Sequence, residues 1–88
     1  VDDFRAHRAG ERIRLSDLLA IPDADAYRAR FAGTPLLRPG RDAMVRNACI
    51  AAANTGAAEL VPELQRLAGD GSPIVREHAR WALDRLVE

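Results

Sequence analysis

Lysine is absent from this chain; all 13 basic residues are arginine. That absence is what a GC-rich coding sequence produces, since arginine codons are GC-rich and lysine codons are not. Arginine also suits bidentate phosphate contacts better than lysine does. Cysteine is nearly absent too: Cys49 stands alone. An internal disulfide and a Cys-rich metal or iron–sulfur site are thereby excluded from this stretch. Aromatics are few, with only Phe4, Tyr27, Phe31 and Trp81. The core must be aliphatic and alanine-rich, which favours closely packed helices over a β-sandwich. No segment approaches the ~20 apolar residues of a membrane span, and no signal peptide opens the chain. A cytoplasmic protein with no membrane partner is expected. The first residue is Val rather than Met, which suggests a piece of something longer.

What is present supports one small domain. Hydrophobic residues make up 48% of the 88, enough for a globular fold and too many for disorder. A chain of this length buries on the order of 60–65% of its unfolded surface. The net charge is zero but unevenly spread. From Arg28 to Ile50 five arginines face one acid, Asp42; from Ala51 to Glu88 four arginines face six acids. A basic middle inside a neutral chain is a candidate anion or nucleic-acid contact.

Punctuation divides the chain into five expected helices. Residues 1–15 are polar and poorly periodic and read as an extended lead-in from a preceding domain; 16–88 read as a single helical domain. A turn of helix over about 16–20 takes Ser16 as N-cap and ends before Pro22. Asp23 caps a helix over 23–32, with Gly33 beyond its end. Gly33 to Gly40 is a connector, punctuated by Pro35 and Pro39. A helix over 41–54 carries Val45, Ala48, Cys49 and Ala52 on one face. A helix over 57–69 tolerates Pro62 only near its first turn, where backbone N–H groups lack partners. Ser72 and Pro73 open a last helix over 72–88, with Val75, Ala79, Ala82, Leu83 and Leu86 as its stripe.

Self-similarity is the strongest pattern. Val45-Arg46 to Ala53 aligns with Val75-Arg76 to Leu83 at an offset of 30 residues. Both share Val-Arg, a small residue four after the Val, and Ala three later. This resembles short HEAT-like repeats, in which helix pairs stack into a solenoid. The expected fold class is therefore all-α, a HEAT-like α-solenoid fragment with an N-terminal helical cap.

From about Arg12 onward the chain also resembles the C-terminal region of epoxyqueuosine reductase. The residues that carry the likeness are Leu15-Ser16-Asp17-Leu18-Leu19, Tyr27 to Phe31, and Gly33-Thr34-Pro35-Leu36. Arg38, Gly40-Arg41, Arg46-Asn47-Ala48, Asn54 and Gly56 follow in order. Ala53 departs from the Gly common there. The resemblance implies a parent oxidoreductase with [4Fe-4S] clusters and cobalamin bound upstream. It implies no cofactor, metal or catalytic residue in this stretch. The implied partners are the upstream catalytic domain and tRNA.

Candidate RNA-binding residues are Arg38, Arg41, Arg46, Asn47 and Arg76. Arg38 and Arg41 flank a helix start, where free N–H groups and the helix dipole attract phosphate. Asp42 can pair with Arg46 at i, i+4. Arg46 and Arg76 occupy equivalent repeat positions, where an inter-repeat structural role competes with RNA contact. Asn47 sits mid-helix, where its propensity is poor, and fits a structural hydrogen bond or a contact. Cys49 reads as a core thiol. His7 and His78 read as surface or interface residues, and Trp81 as a packing residue or a base-stacking platform. Asp23 and Asp25 read as helix-start residues rather than an acid–base pair. The function expected is tRNA docking by a non-catalytic C-terminal domain. The alternatives are a purely structural cap and an unrelated HEAT-like interaction module.

Overall fold

The computed structural model describes residues 3–4 and 13–87. The lead-in expected over 1–15 and the surface role of His7 lie largely or wholly outside the described residues. The part that is described forms a two-residue antiparallel ladder, β1 (Asp3–Phe4) with β2 (Ile13–Arg14), pairing Asp3 with Arg14 and Phe4 with Ile13. The rest is helical: α1 (Leu15–Leu19), α2 (Ala24–Phe31), α3 (Arg41–Thr55), α4 (Val61–Leu67) and α5 (Pro73–Val87). The domain is all-α in class.

Strand β2 runs directly into α1, so the helix starts one residue earlier than expected. Ser16 is its second residue rather than its N-cap, and no side chain caps this end. Leu15, Leu18 and Leu19, at i, i+3 and i+4, are all buried, and that shared face draws Leu15 into the helix. Asp23 does cap α2, its carboxylate accepting from the Ala26 N–H at 2.9 Å. Tyr27 and Phe31 are both buried on α2, their ring centroids 4.6 Å apart. The Tyr27 hydroxyl donates to the Leu36 carbonyl at 2.5 Å and ties the connector to the helix. Thr34 steadies the 3-10 turn Pro35–Leu37, donating to the Phe31 carbonyl and accepting from the Leu36 N–H.

Helix α3 ends where Gly56 adopts φ +69°. The Ala57 N–H reaches the Ala52 carbonyl and the Gly56 N–H the Ala53 carbonyl, at 3.0 and 3.3 Å. This is a Schellman closure, which needs the left-handed residue glycine provides. The helix expected over 57–69 is divided. Ala58–Leu60 is a 3-10 turn, and α4 begins only at Val61. Pro62 dictates this, because its ring and missing N–H are compatible only with a helix's first turn. Pro73 likewise opens α5.

Helix α3 packs most extensively against α5, which also packs on α4; α1 covers α3 and α4. The internal repeat has a packing meaning here. Val45 and Val75, Cys49 and Ala79, and Ala52 and Ala82 are equivalent pairs at offset 30, and all six are fully buried. Small residues therefore line the buried faces of both long helices. No described helix is long and apolar enough to cross a membrane.

Candidate nucleic-acid interface

The basic segment from Arg28 to Ile50 reaches the surface in only some of its arginines. Arg41, at the first position of α3, is buried, with its side chain 4% exposed. Its Nη2 and Nη1 grip the Asp70 carboxylate at 2.7 and 2.8 Å, a fork-to-fork pair. Its Nε donates to the Ile21 carbonyl at 3.1 Å, and Nη1 also reaches Asp42 at 3.1 Å. The expectation of a phosphate-facing Arg41 is therefore corrected. A desolvated guanidinium with these partners has no access to a ligand, and Asp70 supplies the anion. Asp42 pairs with Arg41 instead of the Arg46 expected from i, i+4 spacing.

Asp70 lies in the turn before α5, 29 residues along the chain from its partner. Its side chain is 11% exposed. Besides Arg41 it accepts from the Ser72 N–H at 2.9 Å, and its own carbonyl accepts from Arg76 Nη1 at 2.8 Å. Hydrogen bonding by Arg41 holds the Asp70 carboxyl below its ordinary range, against an opposing push from burial. The same hydrogen bond raises the Arg41 guanidinium above its ordinary value. The clasp joins the start of α3 to the start of α5. Arg41 and Arg76 are thus brought together, through one aspartate and for a structural purpose.

A second arginine works in parallel. Arg66 on α4 donates from Nη2 to the Leu19 carbonyl at 2.8 Å and pairs with Glu63 at 3.0 Å. The chain leaving α1 thus has two carbonyls, at Leu19 and Ile21, satisfied by arginines from α4 and α3. A helix C-terminus leaves such carbonyls without partners of its own.

Arg46 and Asn47 are adjacent and half-buried. Arg46 Nε and Nη2 both donate to Asn47 Oδ1, at 3.2 and 3.1 Å. Arg38 is exposed, and no described residue pairs with it. Arg30 is also exposed, its guanidinium lying 5.4 Å from the Phe31 ring centroid with no acid partner among the described residues. Arg28 is paired with Asp25.

Sequence reasoning missed Asp70 and Arg80. Asp70 stands two residues before the Ser72 that opens the last helix, and an aspartate two residues before a free N–H is an Asx-turn signal. Its long-range arginine partner had no local signature. Arg80 is exposed on α5 and donates to the Ala68 carbonyl at 3.3 Å. Cys49 is fully buried, and desolvation pushes its thiol up to about 11, with the Arg41 charge partly opposing. Among the described residues no group of three or more His, Cys, Asp or Glu is placed to hold a metal.

On the outer side of α3 and α5 an open groove is lined by Ile50, Asn54, Glu77, His78 and Trp81. Trp81 is 39% exposed, and Arg85 sits over its ring at 5.1 Å. Pro73, Arg76, Glu77, Arg80, Trp81 and Asp84 line a second, more polar groove on the other flank of the same indole.

Neither a protein-family model nor a solved structure matches this chain. Among curated proteins it is 34% identical over 82 residues to an epoxyqueuosine reductase of Xanthomonas campestris pv. campestris. The match covers 92% of this chain and lies in the C-terminal region of the relative; the chain spans 23% of that protein's length.

Proposed function

We propose, from this likeness to the C-terminal region of an epoxyqueuosine reductase, that the chain is a non-catalytic, HEAT-like domain of such an oxidoreductase and helps dock tRNA. The single observation that carries the reading is the match along 92% of the chain. Its catalytic domain, iron–sulfur clusters and cobalamin would lie upstream, in a cytoplasmic enzyme. The HEAT-like character rests on the repeat at offset 30, three of whose equivalent pairs, Val45 with Val75, Cys49 with Ala79 and Ala52 with Ala82, are equally buried in α3 and α5.

The docking mechanism is positioning by backbone contact. Arg30 and Arg38 are exposed without acid partners among the described residues, so their charges are available to phosphate. Arg46 and Arg76 are half-exposed, each with donors left over after the bonds described above. Binding should be weak and fall steeply with salt, because each neutralised phosphate releases counterions. The test is tRNA affinity of the chain at several salt concentrations, with Arg30→Ala plus Arg38→Ala as the variant. The expected outcome is weaker binding and a shallower salt slope, with unfolding midpoint unchanged. No tRNA affinity at low salt, or an affinity indifferent to both substitutions, refutes docking.

A second reading has its own observation. Arg41 from the interior and Arg66 from the surface both tie the end of α1 to the later helices, as a module that serves only to brace a catalytic domain would require. On that reading the double variant binds tRNA as the parent chain does.

A further inference from the structure

Trp81 is the only tryptophan of the chain and a large exposed hydrophobic side chain. It stands between two unlike grooves. One is lined by apolar Ile50 and Trp81 together with polar Asn54, His78 and Glu77. The other carries Arg76 and Arg80. We propose that the first groove receives an unpaired nucleobase of a single-stranded RNA segment, stacked on Trp81, while Arg80 and Arg76 hold the adjoining phosphate. This inference rests on the reading that the domain engages RNA.

The chemistry on the two flanks is what a nucleotide asks for. A planar base gains most from an aromatic surface, and stacking tolerates any base because each has a π-face. Arg85 lies over one face of the indole, so the base takes the other face, and the guanidinium places a positive charge beside the stack. The slot has about 490 Å³ of room, ample for one base. Its polar lining offers both signs of hydrogen bond. No bond within the described residues engages the exposed Asn54 amide, which brings two donors and an acceptor. His78 Nδ1 lies 2.8 Å from the Ile74 carbonyl, a contact that requires Nδ1 to donate. The neutral ring then presents Nε2 as an acceptor. The Glu77 carboxylate adds acceptors for ring or exocyclic N–H groups.

The phosphate side is built from two arginines already oriented by backbone. Arg76 is fixed by the Asp70 carbonyl and Arg80 by the Ala68 carbonyl. Each bond uses one N–H of a five-donor fork and leaves the rest for an anion. Neither guanidinium is paired with Glu77 or Asp84, although all four side chains line this flank. Those two carboxylates keep the local field near neutral. The slot should therefore depend more on stacking and less on salt than the Arg30 and Arg38 surface does.

The lone indole is its own reporter. Its fluorescence is followed while the chain is titrated with single-stranded RNA tetranucleotides, a blunt RNA duplex and inorganic phosphate, each at low salt. The tetranucleotides should quench Trp81, and the duplex and phosphate should not. Affinities of the variants, which lack the indole reporter, are read from the anisotropy of a dye-labelled tetranucleotide: Trp81→Ala should weaken binding by about 5- to 150-fold, the range one stacked base supplies. Trp81→Phe should restore most of it, and Arg76→Ala plus Arg80→Ala should weaken it further. Far-UV circular dichroism checks that each variant keeps its helices. Equal quenching by duplex and single strand overturns the slot, as does an unchanged affinity in Trp81→Ala. If tRNA binds with a salt slope while Trp81 stays silent, the slot fails and docking stands. If neither tRNA nor the tetranucleotides bind, docking fails and the slot with it. A protein partner that protects Trp81, with no response to any oligonucleotide, assigns the groove to a protein contact and overturns the proposal.

Discussion

Replacing Asp70 with Asn removes one charge and little else. The amide keeps an oxygen for the Ser72 N–H, so the turn into α5 survives, but the carboxylate that faces Arg41 is gone. Arg41 then remains buried with a full positive charge: the retained oxygen still faces its Nη1, but the amide NH2 replaces the acceptor of its Nη2, and the largely exposed Asp42 is the one carboxylate left beside it, with the Ile21 carbonyl on Nε. Breaking a buried pair from one side costs ~3–5 kcal/mol; with those contacts retained, the low end, about 3 kcal/mol, is expected here. A domain of this size shifts its melting point by roughly 4–8 °C per kcal/mol, so a drop of about 12–24 °C follows. The assay is urea unfolding followed at 222 nm, with Arg41→Met and the double variant completing a cycle. Arg41→Met should cost a comparable amount, and the double variant far less than the sum of the singles. The pH dependence has a definite sign. The Asp70 carboxyl lies lower in the folded state than its usual 3.8. Its stabilisation is therefore complete above the unfolded value and is lost as pH falls through the folded one. The wild-type chain should lose this contribution below about pH 4, and Asp70→Asn should show no such component. Single variants within ~0.5 kcal/mol of wild type, or additive effects in the cycle, would refute the clasp as the bond between α3 and α5.

Three further outcomes follow from the same geometry. Tyr27→Phe leaves the Leu36 carbonyl without its donor and should destabilise by about 1 kcal/mol in the same urea assay; no change would mean water replaces the hydroxyl. Gly56→Ala meets nothing within 4 Å of the added Cβ, so its cost should be the left-handed backbone alone, roughly 1–2 kcal/mol. Cys49 is fully buried with its thiol pushed up to about 11, so at pH 8 a thiol reagent should label it only as fast as the domain opens; rapid labelling of native protein would contradict that burial.

The helical class of this domain was legible because proline and glycine act locally. Pro22, Gly33, Gly56, Pro62 and Pro73 each constrain the backbone where they stand, whatever surrounds them. The i, i+3, i+4, i+7 spacing of Val45, Ala48, Cys49 and Ala52 marks a buried helix face in the same way. The arginines were less legible. Arg38 and Arg41 are three residues apart and look alike in sequence, yet one is exposed and the other is at 5% exposure. The difference comes from Asp70 and Ile21, 29 and 20 residues away. No local pattern carries such a contact. Ser16 shows the opposite failure, a residue with good capping chemistry overridden by the burial of Leu15.

The alanines at 48, 52, 79 and 82, wholly enclosed between the helices, set a scale for the outer surface. Methyl-sized spacers let helix axes approach toward the near limit, about 8 Å. The distance from Asn54 on one rod to Trp81 on the other is inherited from that inner spacing. Lengthening any one of these side chains by a few carbons would splay the rods and widen the mouth above them, without altering a single residue that a ligand could touch.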